Sequence, residues 1–141
     1  MRFLKLVTLV FSTLLINSSF SQNEQSETNL NTNGMMTRIS EIEINPNDLD
    51  QYIAILKEES EASVKLEPGV ISIFPMFQNE KPNQIRILEI YKNKEAYESH
   101  LQTPHFKHYK STTLQMVKSL KLVDMEAIDI ETMDLIFKKL N

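Results

Sequence analysis

The 141-residue chain contains no cysteine, no tryptophan and only two glycines. The lack of cysteine excludes disulfides, iron–sulfur clusters, thiolate-ligated haem and a cysteine nucleophile. Because Gly34 and Gly69 are the only glycines, the chain has no glycine-rich nucleotide or phosphate loop and no G-x-S-x-G turn. The fold must therefore be stabilised by core packing, and any chemistry must come from other side chains.

Basic residues are also in the minority, with 15 Lys and Arg against 19 Asp and Glu. Without residues 1–21 the chain has 13 basic and 19 acidic residues, a net charge of about −6. Binding to nucleic acid depends on clustered Lys and Arg that neutralise phosphates, and the chain has no such cluster. We therefore expect no nucleic-acid partner.

Residues 1–21 are typical of a signal peptide. Arg2 and Lys5 precede an apolar run that is shorter than the about 20 residues of a membrane span, and Ser19-Phe20-Ser21 suits a signal peptidase. We expect cleavage after Ser21 and export to the periplasm or the exterior, with no membrane attachment afterwards; an uncleaved anchor is the alternative. Residues 22–34 are polar and rich in Asn, which predicts a disordered leader.

The remaining residues have the length of one domain, predicted at 35–126, followed by a C-terminal extension at 127–141. Periods of two and of 3.6 residues predict the order β-α-β-β-α-β, which is typical of ferredoxin-like α+β folds. The predicted strands are 36–44, 70–78, 85–91 and 120–125.

Several residues predict where these elements begin and end. Asn47, Asn93 and Thr103 are the predicted N-caps of three helical segments, because their side chains can accept hydrogen bonds from first-turn amides. Gly69 is expected to adopt a left-handed turn after the first helix. Pro75 cannot donate a hydrogen bond, which places its strand at a sheet edge or a bulge.

The second and third strands are apolar on both faces, whereas helices in this arrangement cover only one face of the sheet. An exposed sheet face with Ile and Phe would promote aggregation, so a second layer is needed. The sheet of another copy would supply this layer in a two-fold homodimer. The C-terminal extension is the alternative cover, since Met133, Ile136 and Leu140 share one helical face.

Five short groups of residues match a known pattern: Glu67-Pro68-Gly69, Leu88-Glu89-Ile90-Tyr91, Glu95-Ala96, His100-Leu101 and Pro104-His105-Phe106. On these residues the chain, from about Thr37 to Asp124, resembles the antibiotic biosynthesis monooxygenase family. The resemblance implies a dimeric α+β barrel that oxidises hydroquinones or anthrone-like polyphenols with O2 and without a cofactor.

Such chemistry needs a dry apolar pocket and a base that titrates near neutral pH, for which histidine is suited. His100 is our candidate base, because it follows Tyr97 on the inward side of its helix and the family pattern often has His there. The alternative is a core histidine that only satisfies a neighbour. His105, in the first turn of the next helix, could contact the substrate as a neutral donor or acceptor, or merely pack.

Three further residues are candidates for substrate binding. Tyr91 stands where the family pattern commonly has Trp, and its phenol could hydrogen-bond a quinol oxygen. Glu89 shares a strand face with Tyr91 and lies either in a cavity or on its rim. Arg38 could hold an anionic substrate or form a surface ion pair.

The spacing of His105 and His108, three residues apart on a helix, would permit a metal site in which both histidines join a carboxylate around iron or zinc. No third ligand stands at a supporting spacing, so we expect no metal and no cofactor. The resemblance implies a cofactor-independent monooxygenase of a small quinol-like or polyphenolic aromatic, and this is the function we expect. The alternative is a non-catalytic dimeric barrel that binds a small hydrophobic ligand or acts as a stress-related interaction module.

Overall fold

A computed structural model describes residues 34–140. The predicted signal peptide and nearly all of the predicted leader lie outside this range. The elements are β1 (Met36–Ile44), a short 3-10 turn (Pro46–Asp48), α1 (Leu49–Leu66), β2 (Val70–Gln78), β3 (Lys81–Tyr91), α2 (Lys94–His100), α3 (Pro104–Thr113), β4 (Val117–Met125) and α4 (Glu131–Leu140).

The four strands form one antiparallel sheet in the order β2-β3-β1-β4. This arrangement confirms the predicted ferredoxin-like α+β fold, and it places β2 at an edge, as Pro75 indicated. Alternation along β1 buries Ile42 and Ile44 on the face that meets the helices. On α1, Tyr52 and Leu56 are buried at helical spacing and pack into the same core.

Two strands are longer than predicted. β3 begins at Lys81, because its polar first residues pair with the end of β2, where Lys81 faces Gln78. β4 begins at Val117, which faces Ile44 across a bulge in the pairing with β1. Polar strand ends carry no apolar alternation, so the pattern of side chains alone did not predict them.

The N-caps of α2 and α3 are confirmed, since the Asn93 side chain accepts from the Ala96 amide at 2.8 Å and Thr103 accepts from the Phe106 amide at 3.3 Å. The predicted cap at Asn47 is wrong. Asn47 lies inside the 3-10 turn that begins at Pro46, so α1 begins one residue later than a cap at that position would require.

Gly69 is required for a reason other than the predicted left-handed turn. Among residues 34–140 the only glycine with a positive φ is Gly34. A Cβ atom on Gly69 would lie 2.5 Å from the Cβ of Ala96 on α2. Gly69 therefore permits the start of β2 to approach α2 closely.

The sheet face turned away from the helices carries an apolar row. Cross-strand pairing aligns one residue from each strand, Phe74, Leu88, Ile39 and Val123. The side chain of Phe74 is 58% exposed. We call these four residues the open-face row; α1, α2 and α3 pack their buried residues on the opposite face.

The predicted C-terminal extension is helical, as expected, and forms α4. None of the residues of α4 is buried, and its large apolar side chains are exposed, including Ile136 at 54% and Leu140 at 76%. Within one copy, α4 therefore leaves its own apolar side exposed. Among residues 34–140, every helix is too short or too polar to cross a lipid bilayer.

The close approach of Gly69 and Ala96 can be tested with a double-mutant cycle. Gly69→Ala should lower the free energy of unfolding by about 1–3 kcal/mol, because the added methyl overlaps the Ala96 side chain. Ala96→Gly costs about 1 kcal/mol from helix propensity. The double variant should be more stable than the sum of the two single changes in urea unfolding, since the overlap is removed. Additive losses would exclude this contact as the reason for glycine.

Candidate active site

A cavity of about 220 Å³ lies between the sheet and the helices. Alternate side chains of β1 and β3 form its floor, because they point to the helix side of the sheet. Helices α1, α2 and α3 supply the other walls. The lining residues with polar or aromatic groups are Arg38, Ser40, Glu59, Glu89, Tyr91, Tyr97, His100, Phe106, Tyr109 and Lys110.

His100, the last residue of α2, lies in the wall of this cavity and is 3% exposed. Its ring packs against Phe106, with centroids 4.7 Å apart, and against Tyr91 at 5.6 Å. Its Nδ1 lies 3.0 Å from Oε1 of Glu67, the residue that follows α1. Three elements therefore fix the orientation of one imidazole.

Glu67 receives a second histidine on the same oxygen, with Nε2 of His105 at 2.5 Å. Burial acts against ionisation of this carboxyl, but the hydrogen bonds from His100 and His105 outweigh it and lower the pKa of Glu67. An ionised carboxylate can only accept hydrogen bonds, so Nδ1 of His100 must carry the proton. In the neutral imidazole, Nε2 then has a free lone pair.

Glu59 lies on the other side of His100. It is 5% exposed, and its Oε1 accepts a hydrogen bond from Ser63 at 2.8 Å. The same oxygen is 3.7 Å from Nε2 of His100, which is too long for a hydrogen bond. Burial raises the pKa of Glu59, although Ser63 and His100 oppose this effect. A carboxyl with a reduced tendency to ionise therefore stands beside the free nitrogen of His100.

On the cavity floor, Glu89 accepts hydrogen bonds from the hydroxyls of Ser40 and Tyr91, the latter at 2.9 Å. Burial and the neighbouring Glu89 raise the pKa of Tyr91, so its phenol stays protonated. The Tyr91 proton is thus already donated to Glu89. Only the lone pairs of its oxygen remain for a ligand.

Arg38 enters the cavity from β1 and is held on two sides. It pairs with Asp124 at 2.7 Å, and its guanidinium lies 4.7 Å from the centre of the Tyr97 ring. Burial opposes its charge, but the bonds to Asp124 and Tyr97 raise the pKa of Arg38 further. The guanidinium therefore remains a fixed positive charge at the cavity wall.

The structure brings four of the predicted site residues, His100, Tyr91, Glu89 and Arg38, to one cavity. His105 does not line it. Its ring borders a separate cleft of about 240 Å³ between α1 and α3, and it reaches the site only through Glu67. His108 borders the same cleft but takes no part in the His100–Glu67–His105 cluster.

Neither Glu59 nor Glu67 was predicted to be a site residue. A signal for Glu59 was present, because it follows Tyr52 and Leu56 at helical spacing on the buried side of α1. Glu67 lies just after the helix, where no periodicity applies. Its role depends on tertiary contacts with two later helices.

Comparison with known proteins adds to this geometry. The profile of the antibiotic biosynthesis monooxygenase family matches residues 35–112 of the chain. A comparison with curated proteins found no match.

Solved structures give a consistent result. A candidate antibiotic biosynthesis monooxygenase from Bacteroides thetaiotaomicron is 47% identical, with 70% of this chain and 93% of the other covered and a TM-score of 0.69. A candidate monooxygenase from Lactobacillus acidophilus is 30% identical over 66% of this chain and 44% of its own, with a TM-score of 0.65. A protein from Nitrosomonas europaea, at 18% identity, covers 68% and 92% with a TM-score of 0.64 and shares the fold.

The raised pKa of Glu59 predicts a pH-dependent stability difference. Because the folded protein binds this proton more tightly than the unfolded chain, the contribution of Glu59 to stability is lost as pH rises above its unfolded pKa of about 4.3. Glu59→Gln keeps an acceptor for Ser63 but cannot ionise. Relative to wild type, the variant should therefore be more favourable at pH 7 than at pH 4 in urea unfolding, measured in metal-free buffer.

The exposed neighbour Glu58→Gln removes a charge from the same helix and is the matched control for this comparison. A difference between wild type and Glu59→Gln that is the same at both pH values would contradict the prediction.

Proposed function

The chain belongs to the antibiotic biosynthesis monooxygenase family, and on this premise we propose that it oxidises a small quinol-like or polyphenolic aromatic compound with O2. The observation that carries the proposal is the orientation of His100. Its Nδ1 faces the ionised Glu67, and Nε2 receives no hydrogen bond from residues 34–140. A buried imidazole at a cavity wall is thereby prepared to accept a proton.

The cavity suits a small aromatic substrate. Its volume of about 220 Å³ is below the about 300–1,000 Å³ typical of pockets for drug-sized ligands. Much of its wall is apolar or aromatic, including Ile42, Ile87 and Phe106. Such surroundings exclude water and strengthen electrostatic interactions with the substrate.

In the proposed reaction, Nε2 of His100 takes the proton of a substrate hydroxyl, and Glu67 stabilises the resulting imidazolium. The electron-rich anion then supplies all the electrons for oxygen. One oxygen atom enters the substrate and the other leaves as water. In an anthrone the ring CH2 becomes C=O, and in a hydroquinone a ring CH becomes C–OH while the hydroquinone is oxidised to the quinone. The substrate loses four electrons, so no further reductant is needed.

The remaining cavity residues would orient the substrate. The fixed charge of Arg38 favours the phenolate that forms when the proton is lost. The Tyr91 oxygen can accept from a second hydroxyl, because its own proton is donated to Glu89. His105 would act on Glu67 instead of the substrate, since it lies outside the cavity wall.

We further propose that the exported mature protein is a homodimer in which the open-face rows of two copies pack together. The row is apolar in every strand, and burying it removes Phe74, at 58% exposure, and its neighbours from water. The pairing of sheets would leave the cavity, which lies on the opposite face, intact in each copy.

Leu88→Glu tests the dimer, because it places a charge in the centre of the open-face row. Burial of unpaired carboxylates should weaken dimerisation by at least about 2 kcal/mol. Light scattering coupled to size exclusion should therefore report a monomer at concentrations where wild type is dimeric. Val64→Glu is the control, since it adds the same charge to the exposed side of α1, at a residue that is 46% exposed. A wild-type monomer, or a dimer that survives Leu88→Glu, would reject the proposed interface.

Activity is tested by oxygen consumption of the mature chain from Gln22 with a panel of reduced quinones and anthrones. His100→Ala should lower kcat/KM by roughly 100-fold or more, in the range of general-base catalysis. His108→Ala, at an exposed histidine outside the cavity, is the matched control and should resemble wild type.

Glu67→Gln tests whether Glu67 orients the His100 ring or binds the substrate. It should lower kcat more than it changes KM, because Glu67 acts through His100 and does not line the cavity. Unchanged kcat/KM in His100→Ala would remove His100 from the mechanism. If no compound is turned over but one raises the melting temperature, the chain is a ligand-binding module instead.

A further inference from the structure

We propose that Glu67, His100 and His105 form a binding site for a divalent transition metal ion such as Zn²⁺. One ligand atom from each side chain lies within 4.8 Å of the other two. The three residues come from separate places in the chain: the end of α1, the end of α2 and the first turn of α3. No metal was expected from the sequence, because the pair His105 and His108 has no third ligand at a supporting spacing.

The distances fit an ion after a small adjustment. Bonds of about 2.0–2.2 Å from zinc to nitrogen and oxygen place two ligands of a tetrahedral site roughly 3.3–3.6 Å apart. Oε1 of Glu67 is 3.0 Å from Nδ1 of His100 and 2.5 Å from Nε2 of His105. The side chains therefore need to shift by about 1 Å: Oε1 of Glu67 must move away from both histidines, and the two ring nitrogens, which lie within 4.8 Å of each other, must reach the same spacing.

The ligand chemistry selects the class of metal. Two imidazoles and one carboxylate suit zinc, cobalt, nickel or iron, whereas magnesium and calcium prefer oxygen ligands only. Three protein ligands leave a fourth position for water.

The charges around the cluster also favour a cation. Glu59 and Glu67 are both largely shielded from solvent, and among residues 34–140 each forms ion-pair contacts with histidine alone, not with Lys or Arg. A dication at the cluster would balance the negative charge of the Glu67 carboxylate.

Access and support are present as well. The cleft of about 240 Å³ beside His105 opens between α1 and α3, and His105 is 19% exposed. When Nδ1 of His100 binds a metal, Nε2 must carry the proton, and Glu59, 3.7 Å away, would have to move closer to accept a hydrogen bond from it. A carboxylate behind a metal-bound histidine is a common second layer of such sites.

Metal binding would regulate the proposed reaction. A His100 with metal on Nδ1 and a proton on Nε2 cannot accept a proton from the substrate, so the ion should inhibit and a chelator should restore activity. This consequence rests on the proposed function, whereas metal binding itself does not.

The test is equilibrium dialysis of the mature chain against Zn²⁺, after chelator treatment, with Co²⁺ absorption as a second readout of the ligand set. Wild type should bind one Zn²⁺ per chain. Glu67→Gln and His105→Ala should each lower the affinity by more than about 10-fold. His108→Ala also removes one histidine from α3 and is the matched control for His105→Ala. It should bind Zn²⁺ as wild type does, since His108 lies outside the cluster.

Circular dichroism and thermal unfolding establish that each variant is folded, and Glu67→Gln is close in shape to the native residue. Absence of stoichiometric Zn²⁺ binding by wild type, or an affinity unchanged from wild type in both Glu67→Gln and His105→Ala, would overturn the proposal. Zn²⁺ binding without any oxygen consumption would leave the metal site standing and reject the catalytic role. Oxygen consumption without Zn²⁺ binding would reject the metal site and leave the catalytic role standing.

Discussion

The carboxylate of Glu67 holds the site together. It accepts hydrogen bonds from His100, at the end of α2, and from His105, in the first turn of α3. It therefore connects the C-terminal end of α1 with α2 and α3. This connection places the His100 ring between Phe106 and Tyr91 and assigns its proton to Nδ1. Without an ionised acceptor at this point, neither the orientation nor the tautomer of His100 would be defined.

The close packing at Gly69 belongs to the same arrangement. Gly69, two residues after Glu67 and just before β2, lies so close to Ala96 of α2 that a Cβ atom on it would be 2.5 Å from the Ala96 Cβ. The position of Glu67 relative to α2 is therefore fixed by sterics on one side and by hydrogen bonds on the other. Stability of the fold and geometry of the site depend on the same few residues here.

The sheet serves two purposes through the alternation of its side chains. One face carries Arg38, Glu89 and Tyr91 into the cavity, while the residues between them present the open-face row. A shift of one residue in strand pairing would exchange these faces completely. Apolar side chains on both faces are thus a requirement of a fold that needs a cavity on one side and a covering layer on the other.

Sequence periodicity predicted what depends on local order. The α+β fold, the edge position of β2 and the caps at Asn93 and Thr103 all follow from alternation, from proline and from capping chemistry. Alternation also grouped Glu89 with Tyr91. Periodicity failed where a contact joins distant segments. No residue near Glu67 in the sequence indicates that it binds two histidines. Gly69 was predicted to adopt a left-handed turn, whereas it is needed for close packing against Ala96.

His105 illustrates the limit most clearly. Helical spacing pairs it with His108, three residues on, because such residues are neighbours on an isolated helix. In the folded chain the partner is Glu67, 38 residues away, and the ring turns toward α1. Helical spacing reveals only pairs that are close in sequence. The Glu67 carboxylate, which has no Lys or Arg partner, accepts hydrogen bonds from the donors that tertiary packing places beside it.

The polar groups of the cavity explain why one nitrogen is the proton acceptor in the proposed reaction. Arg38 is paired with Asp124, and the Tyr91 and Ser40 hydroxyls both donate to Glu89, so these groups are committed before a substrate arrives. Nε2 of His100 differs, since its nearest polar neighbour, Glu59, lies beyond hydrogen-bond distance. In the proposed reaction the substrate would be held by the apolar walls, the charge of Arg38 and the lone pairs of Tyr91, and Nε2 of His100 would accept its proton. Because Nδ1 of the same ring faces Glu67, whatever occupies that side, a proton or a metal ion, decides whether Nε2 is free to react.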